Sequence, residues 1–128
     1  MWTYVQRSGE LRNADGELVA AGYSGFPPDG KNNPGVEAEP DIGPIPCGYY
    51  TIGAPECVDA AGPHGPFVLP LTPDPSNEMF GRSGFLCHGD SIAHAGCASH
   101  GCMIFPRVIR DAIAASNDDR LLVVADGS

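Results

Sequence analysis

The chain has 128 residues of even composition, 42% of them hydrophobic, which is enough for one domain around one core without covalent staples. Its 7 Lys and Arg face 16 Asp and Glu, a formal charge of −9, so no basic stripe is available to neutralise phosphates and nucleic acid is excluded as a partner. No run approaches the roughly 18 apolar residues that cross a bilayer, so no membrane span is expected. The opening Met1-Trp2-Thr3-Tyr4-Val5 lacks the apolar stretch of a signal peptide, so a substrate outside the cytoplasm would call for another delivery route.

Glycine (17) and proline (13) are abundant, but the segments between them alternate as strands do. The expectation is many short strands and turns rather than disorder. Met1 to Ala21 reads as a hairpin, with Asn13-Ala14-Asp15-Gly16 supplying the turn. Tyr23 to Pro46 is a long loop whose prolines bar helix and central strand, and a loop of this length that is not low in complexity suits a cleft wall. Lys31 and Asn32 belong to it. Gly48–Ile52 and Phe67–Leu71 read as strands, with Tyr49 and Tyr50 as strand packing. Gly84 to His88 is a short apolar run that ends by presenting a histidine.

Pro106 opens the one convincing helix, to Ala115, with Val108, Ile109, Ala112 and Ile113 on one face. Leu121 to Ala125 is apolar throughout, as a central strand is. Strands, then one helix, then a strand argue for a mainly-β single domain over residues 1–128 with a helix packed on it.

The chemistry concentrates between Cys87 and Cys102, which hold three of the five cysteines and three of the four histidines. One reading is a nucleophilic thiol at Cys102 with His88 as base. An imidazolium nearby lowers a thiol's pKa and stabilises the thiolate. Gly101 lets the backbone bend tightly, so the Gly101 and Cys102 N–H groups could converge on a developing oxyanion, with Ser99, His100 and Gly89 shaping that pocket. A second reading is zinc held by Cys97, His100 and Cys102 with His88 or His94, although the spacing matches no standard zinc pattern. A third is a loop without chemistry.

The other cysteines read as small buried thiols, while Cys47–Cys57 and Cys87–Cys97 bridges are conceivable in an oxidising compartment. His64, between Pro63 and Gly65, reads as a solvated loop residue.

The residues resemble a known family. His88-Gly89, a loop, then Ser99-His100-Gly101-Cys102-Met103 is similar to the catalytic signature of the L,D-transpeptidase (YkuD-like) enzymes. The stretches YVQRSGELRNADGELVAAGYSG, GKNNP, IGPIPCGYYTIG and GPFVLPLTPDPSNEMFGRSGFLCHGDS resemble a small branch of type VI secretion L,D-transpeptidase effectors. Two departures stand out: a short His-to-Cys loop, and Ile104 where an Arg or Asn often follows.

The resemblance implies an L,D-transpeptidase-like β-sandwich with a helix after the cysteine. It also implies a substrate of peptidoglycan stem peptides. Cys102 would attack the diaminopimelate carbonyl and expel D-alanine, and the thioester would pass to water, a D-amino acid or another stem. No cofactor or metal is required. An effector of this kind would act in the periplasm of a target cell, with secretion machinery and an immunity protein as partners.

In that reading His88 returns its proton to the leaving amine, and either the Gly89 carbonyl or Asp90 orients its ring. Arg82, Asp90, Lys31 and Asn32 are the substrate-binding candidates, Arg82 because a guanidinium matches a carboxylate bidentately. Two alternatives remain: a non-catalytic wall-binding or phage structural module, and another cysteine wall hydrolase such as the NlpC type. The latter places cysteine before histidine, and no histidine follows Cys102 here.

Overall fold

The computed structural model describes residues 1–56, 67–91 and 95–127. Cys57, His64 and His94, and with them the Cys47–Cys57 pairing, lie outside the described residues.

The N-terminal 21 residues form three strands rather than one hairpin: β1 (Trp2–Val5), β2 (Glu10–Arg12) and β3 (Leu18–Ala21). The extra reversal occurs at Gly9, whose φ of +74° suits glycine and whose N–H bonds the Val5 carbonyl. The expected turn at Asn13–Gly16 is present, with Asn13 Oδ1 accepting from the Asp15 and Glu17 N–H groups.

The remaining strands are β4 (Tyr23–Ser24), β5 (Gly48–Ile52), β6 (Leu69–Pro73), β7 (Leu86–His88), β8 (Met103–Ile104) and β9 (Arg120–Val124), with one helix, α1 (Arg107–Ala115), before β9. Their order across the sheet is β3-β2-β1-β9-β5-β6-β7-β8-β4. As the apolar run at 121–125 suggested, β9 is central, parallel to β1 and antiparallel to β5. Leu121 and Val123 on it are fully buried. On β5, Tyr50 is buried and Tyr49 faces out, as strand alternation requires.

Two features make this a wrapped, barrel-like sheet. β6 turns the corner, pairing through Leu71–Pro73 with β5 and through Leu69 and Pro70 with β7. The two outermost strands, β3 and β4, are joined by Gly22 alone, so the edges of the order meet. A Cβ at Gly22 would lie 2.0 Å from the Ile104 carbonyl oxygen, so no side chain fits where the sheet closes. The mainly-β architecture with one helix after Cys102 is therefore present, its two layers being one continuous sheet.

The interior holds Tyr4, Leu11, Ile45, Tyr50, Leu69, Phe105 and Leu121, all without exposure. Each large apolar side chain so buried contributes about 1.5–3 kcal/mol. Helix α1 packs on this core with a face shifted from the expected one. Ile113 and Arg110 are buried, whereas Val108 is 69% exposed. The cause is Arg110, whose Nη1 donates to the Phe67 carbonyl at 2.8 Å and draws that side of the helix inward. Among the described residues no helix is long and apolar enough to cross a membrane.

Candidate active site

Strands β7 and β8 lie parallel and adjacent, with Cys87 opposite Met103 and His88 opposite Ile104. Cys102 immediately precedes β8, two positions before the partner of His88. With strands about 4.8 Å apart and a rise of about 3.3 Å per residue, the backbones of His88 and Cys102 are roughly 8 Å apart, a gap two side chains can span. The Phe105 N–H bonds the His88 carbonyl at 3.1 Å and locks the register beyond the strand ends. The backbone N–H of Leu86 on β7, the strand that carries the histidine, favours ionisation of the Cys102 sulfur.

His88 is 2% exposed, and its Nδ1 lies 2.9 Å from the Gly89 carbonyl oxygen. A carbonyl only accepts, so Nδ1 is the donor here, and in the neutral ring the lone pair is on Nε2. Of the two orienting groups open from the sequence, the carbonyl takes the position at the ring. Asp90 is engaged elsewhere: its carboxylate accepts from the Tyr23 hydroxyl at 2.5 Å and from the Ser91 and Gly96 N–H groups. Those bonds outweigh the effect of its partial burial and hold its pKa below the usual carboxylate value.

The Ser99–Cys102 turn is pinned by two buried serines. Ser99 Oγ accepts from the Gly25 N–H at 2.9 Å and the Gly101 N–H at 3.1 Å, and donates to the Cys102 carbonyl at 2.6 Å. Ser24 Oγ donates to the Gly101 carbonyl at 2.9 Å and accepts from the Ile45 N–H. The Gly101 amide is therefore already used and does not join the Cys102 amide in an open oxyanion pocket, contrary to the sequence expectation. Gly101 itself is required for a different reason. Its φ is +135°, and a Cβ there would fall 2.5 Å from Arg82 Nη2.

Arg82 is the largest departure from the sequence reading. It is 9% exposed, and both terminal nitrogens are committed to carbonyl oxygens: Nη1 to Glu37 and Pro44, Nη2 to Gly43 and His100. A bidentate carboxylate needs those same N–H groups, so Arg82 is built as a clamp and not as a carboxylate receptor.

A cleft of about 270 Å³ opens beside Cys102, lined by Pro40, Asp41, Ser83, Phe85 and His100 among others. Pro40 and Asp41 bring the long loop to the cleft as its wall. His100 stacks on Phe26, with ring centroids 4.9 Å apart and planes 10° apart, and its Nδ1 lies 3.1 Å from the Asp41 carbonyl oxygen. Its ring thus fastens the turn to that wall. Lys31, Asn32 and Asp90 do not line this cleft. Lys31 Nζ sits 4.4 Å from the centre of the Tyr23 ring, and Asn32 Oδ1 accepts from the Ser24 N–H. They brace β4 behind the site.

Burial raises the Cys102 thiol pKa, partly offset by the Leu86 N–H and the Arg82 charge. Burial thus opposes ionisation of this sulfur, where the sequence reading had an imidazole lowering its pKa. Cys47, Cys87, Cys97 and Cys102 are free, so Cys87 and Cys97 are not bridged. Cys87 is wholly buried and Cys97 exposed, so the two thiols occupy different environments. Among the described residues no three His, Cys, Asp or Glu side chains gather to hold a metal.

Sequence reasoning missed Ser24, which lies 78 positions from Cys102. The sequence reading placed Ser24 inside the long loop, and a two-residue strand leaves no periodic signal there.

Comparison with curated proteins finds no match. Among solved structures, the helical cell shape determining protein Pgp2 from Campylobacter jejuni is similar at a TM-score of 0.58 and 16% identity, over 99% of this chain and 48% of that one. An L,D-transpeptidase from Mycobacterium smegmatis is similar at 0.56 and 17% identity, over 97% of this chain and 58% of that one. The chain thus spans about half the length of the structures it matches, and it shares their fold. The Tlde1 domain model matches residues 19–126, which takes in every strand from β4 onward, the serine-pinned turn and the whole His88–Cys102 segment, and the chain belongs to the Tlde1 domain family.

Proposed function

We propose that this chain is a peptidoglycan-modifying cysteine acyltransferase in which Cys102 is the nucleophile and His88 the general base. One observation carries the reading: a buried imidazole whose Nδ1 is fixed on the Gly89 carbonyl, on the strand adjacent to the one that Cys102 precedes. In the neutral ring this contact assigns the proton to Nδ1 and the lone pair to Nε2, the tautomer that a base at Nε2 requires. Membership in the Tlde1 domain family and the fold shared with an L,D-transpeptidase support a cell-wall substrate.

The chemistry follows from a sulfur whose burial disfavours the free thiolate, so that a base must assist its ionisation. Nε2 of His88 takes the thiol proton as sulfur attacks the diaminopimelate carbonyl of a tetrapeptide stem. The oxyanion faces the Cys102 N–H, since the Gly101 N–H is held by Ser99. The imidazolium then gives its proton to the leaving amine, D-alanine departs, and a thioester remains on Cys102. Water or a free D-amino acid, deprotonated by the same imidazole, releases the stem. The resemblance to type VI effectors extends the proposal to delivery into the periplasm of a target cell and to an immunity protein as partner.

The test is mass spectrometry of muropeptides after incubation with purified protein. Tripeptide stems indicate hydrolysis, stems with a new D-residue exchange, and 3–3 dimers cross-linking. Unaltered tetrapeptide stems with active-concentration protein would refute the reading, and so would equal conversion by Cys102→Ala.

A further inference from the structure

Arg82 lies in an irregular segment between β6 and β7, yet it is among the most buried charged residues of the fold. A buried charge is unfavourable unless its donors are used. Here all four N–H groups of the terminal nitrogens meet neutral carbonyls, at 2.6 and 2.8 Å from Nη1 and 3.0 and 3.1 Å from Nη2. No carboxylate of the described residues forms a salt bridge with it. Carbonyl dipoles satisfy the donors without cancelling the charge, so the field remains and falls on what is near.

What is near is the cysteine turn. Three of the carbonyls, those of Glu37, Gly43 and Pro44, flank Pro40 and Asp41 in the loop that supplies one wall of the cleft. The fourth belongs to His100, two residues before Cys102. The absent side chain of Gly101 leaves the space that Nη2 occupies. The Phe85 ring lies 5.3 Å from the guanidinium carbon and closes the other side.

We propose that Arg82 is the positioning residue of Cys102: it ties the loop wall to the cysteine turn and holds a fixed positive charge beside the sulfur, stabilising the thiolate as it forms. The proposal rests on Cys102 being the nucleophile. The Arg82 charge acts on the Cys102 thiol in the direction required, opposing the effect of burial. A lysine would keep the charge but has three donors on one atom, and it cannot bridge both walls as the planar fork does.

Two variants separate charge from clamp, with circular dichroism to establish that each folds. The first readout is alkylation by iodoacetamide followed at the peptide that carries Cys102, as a function of pH. It uses no cell-wall substrate, so it stands whether or not the stem-peptide reading holds. For Arg82→Gln the profile should move up by about one pH unit, making alkylation at neutral pH about tenfold slower. For Arg82→Lys the profile should stay near that of the wild type, while conversion of tetrapeptide stems falls about tenfold or more through misplacement of the turn. A Gln variant whose alkylation profile coincides with that of the wild type overturns the electrostatic role. A Lys variant with unimpaired conversion overturns the clamp, and the Lys variant decides if the Gln variant does not fold.

Discussion

The hydroxyl of Ser99 donates to the carbonyl of Cys102 at 2.6 Å while its oxygen accepts the Gly101 N–H at 3.1 Å, so one side chain closes the cysteine turn from both ends. The same oxygen accepts from Gly25, at the end of β4, and thereby anchors the turn to the edge of the sheet.

Ser99→Ala should therefore strand two buried N–H donors and one carbonyl at once. A loss of about 2–4 kcal/mol in unfolding free energy is expected, since an unsatisfied buried group costs about 1–3 kcal/mol. Urea denaturation of the variant reads this directly. A change below about 0.5 kcal/mol, the size of an ordinary surface substitution, would mean that the serine does not pin the turn.

Gly101→Ala should harm activity more than stability. The residue sits at a φ of +135°, where a side chain is strained by about 1–3 kcal/mol. Its Cβ would also press on Arg82 Nη2. Movement of the turn by an ångström should lower stem conversion about 100-fold. Conversion within twofold of the wild type in a folded variant would contradict this account of the turn.

Stability should fall at alkaline pH, and the sign follows from the thiols. Burial pushes Cys87 up to about 12, and burial with the nearby Glu37 carboxylate pushes Cys47 up to about 11. A group harder to ionise in the folded state favours folding only while it is protonated. That contribution is whole below about 8.5, the value of an unfolded thiol, and is lost as pH climbs toward the folded values. The urea midpoint should thus decline between about pH 8.5 and 11, and less steeply in Cys87→Ala than in the wild type. A flat profile in the wild type over that window would contradict the assignment of these thiols to the interior.

Much of this was legible in the sequence because the signals were local. The apolar run ending at His88 became β7, the proline at 106 preceded the helix, and the apolar segment after Asp119 became the central strand. The Gly101 bend was legible too, since few residues but glycine tolerate such a turn. The rest depended on distant partners. β4 and β8 have two residues each, too few for any periodicity, and they exist because the sheet closes on itself through Gly22. The role of Arg82 could not be read because its partners are backbone carbonyls, which carry no residue identity. The oxyanion donors were misjudged for the same reason: Ser99 was visible beside Gly101, but not that its hydroxyl would take the Gly101 amide. The environment of the sulfur was also hidden, since burial under a wrapped sheet is a property of the whole chain.

The central claim is that sulfur at position 102 carries the acyl group. The direct measurement is peptide mass spectrometry of protein quenched in acid during turnover of tetrapeptide stems, compared with His88→Gln, in which acylation should slow by about 100-fold or more. The account predicts a mass increment of the tripeptide acyl group on the Cys102 peptide of the wild type, none in Cys102→Ala, and far less in the histidine variant. An acyl adduct on another residue, or stem conversion that proceeds in Cys102→Ala, would contradict it.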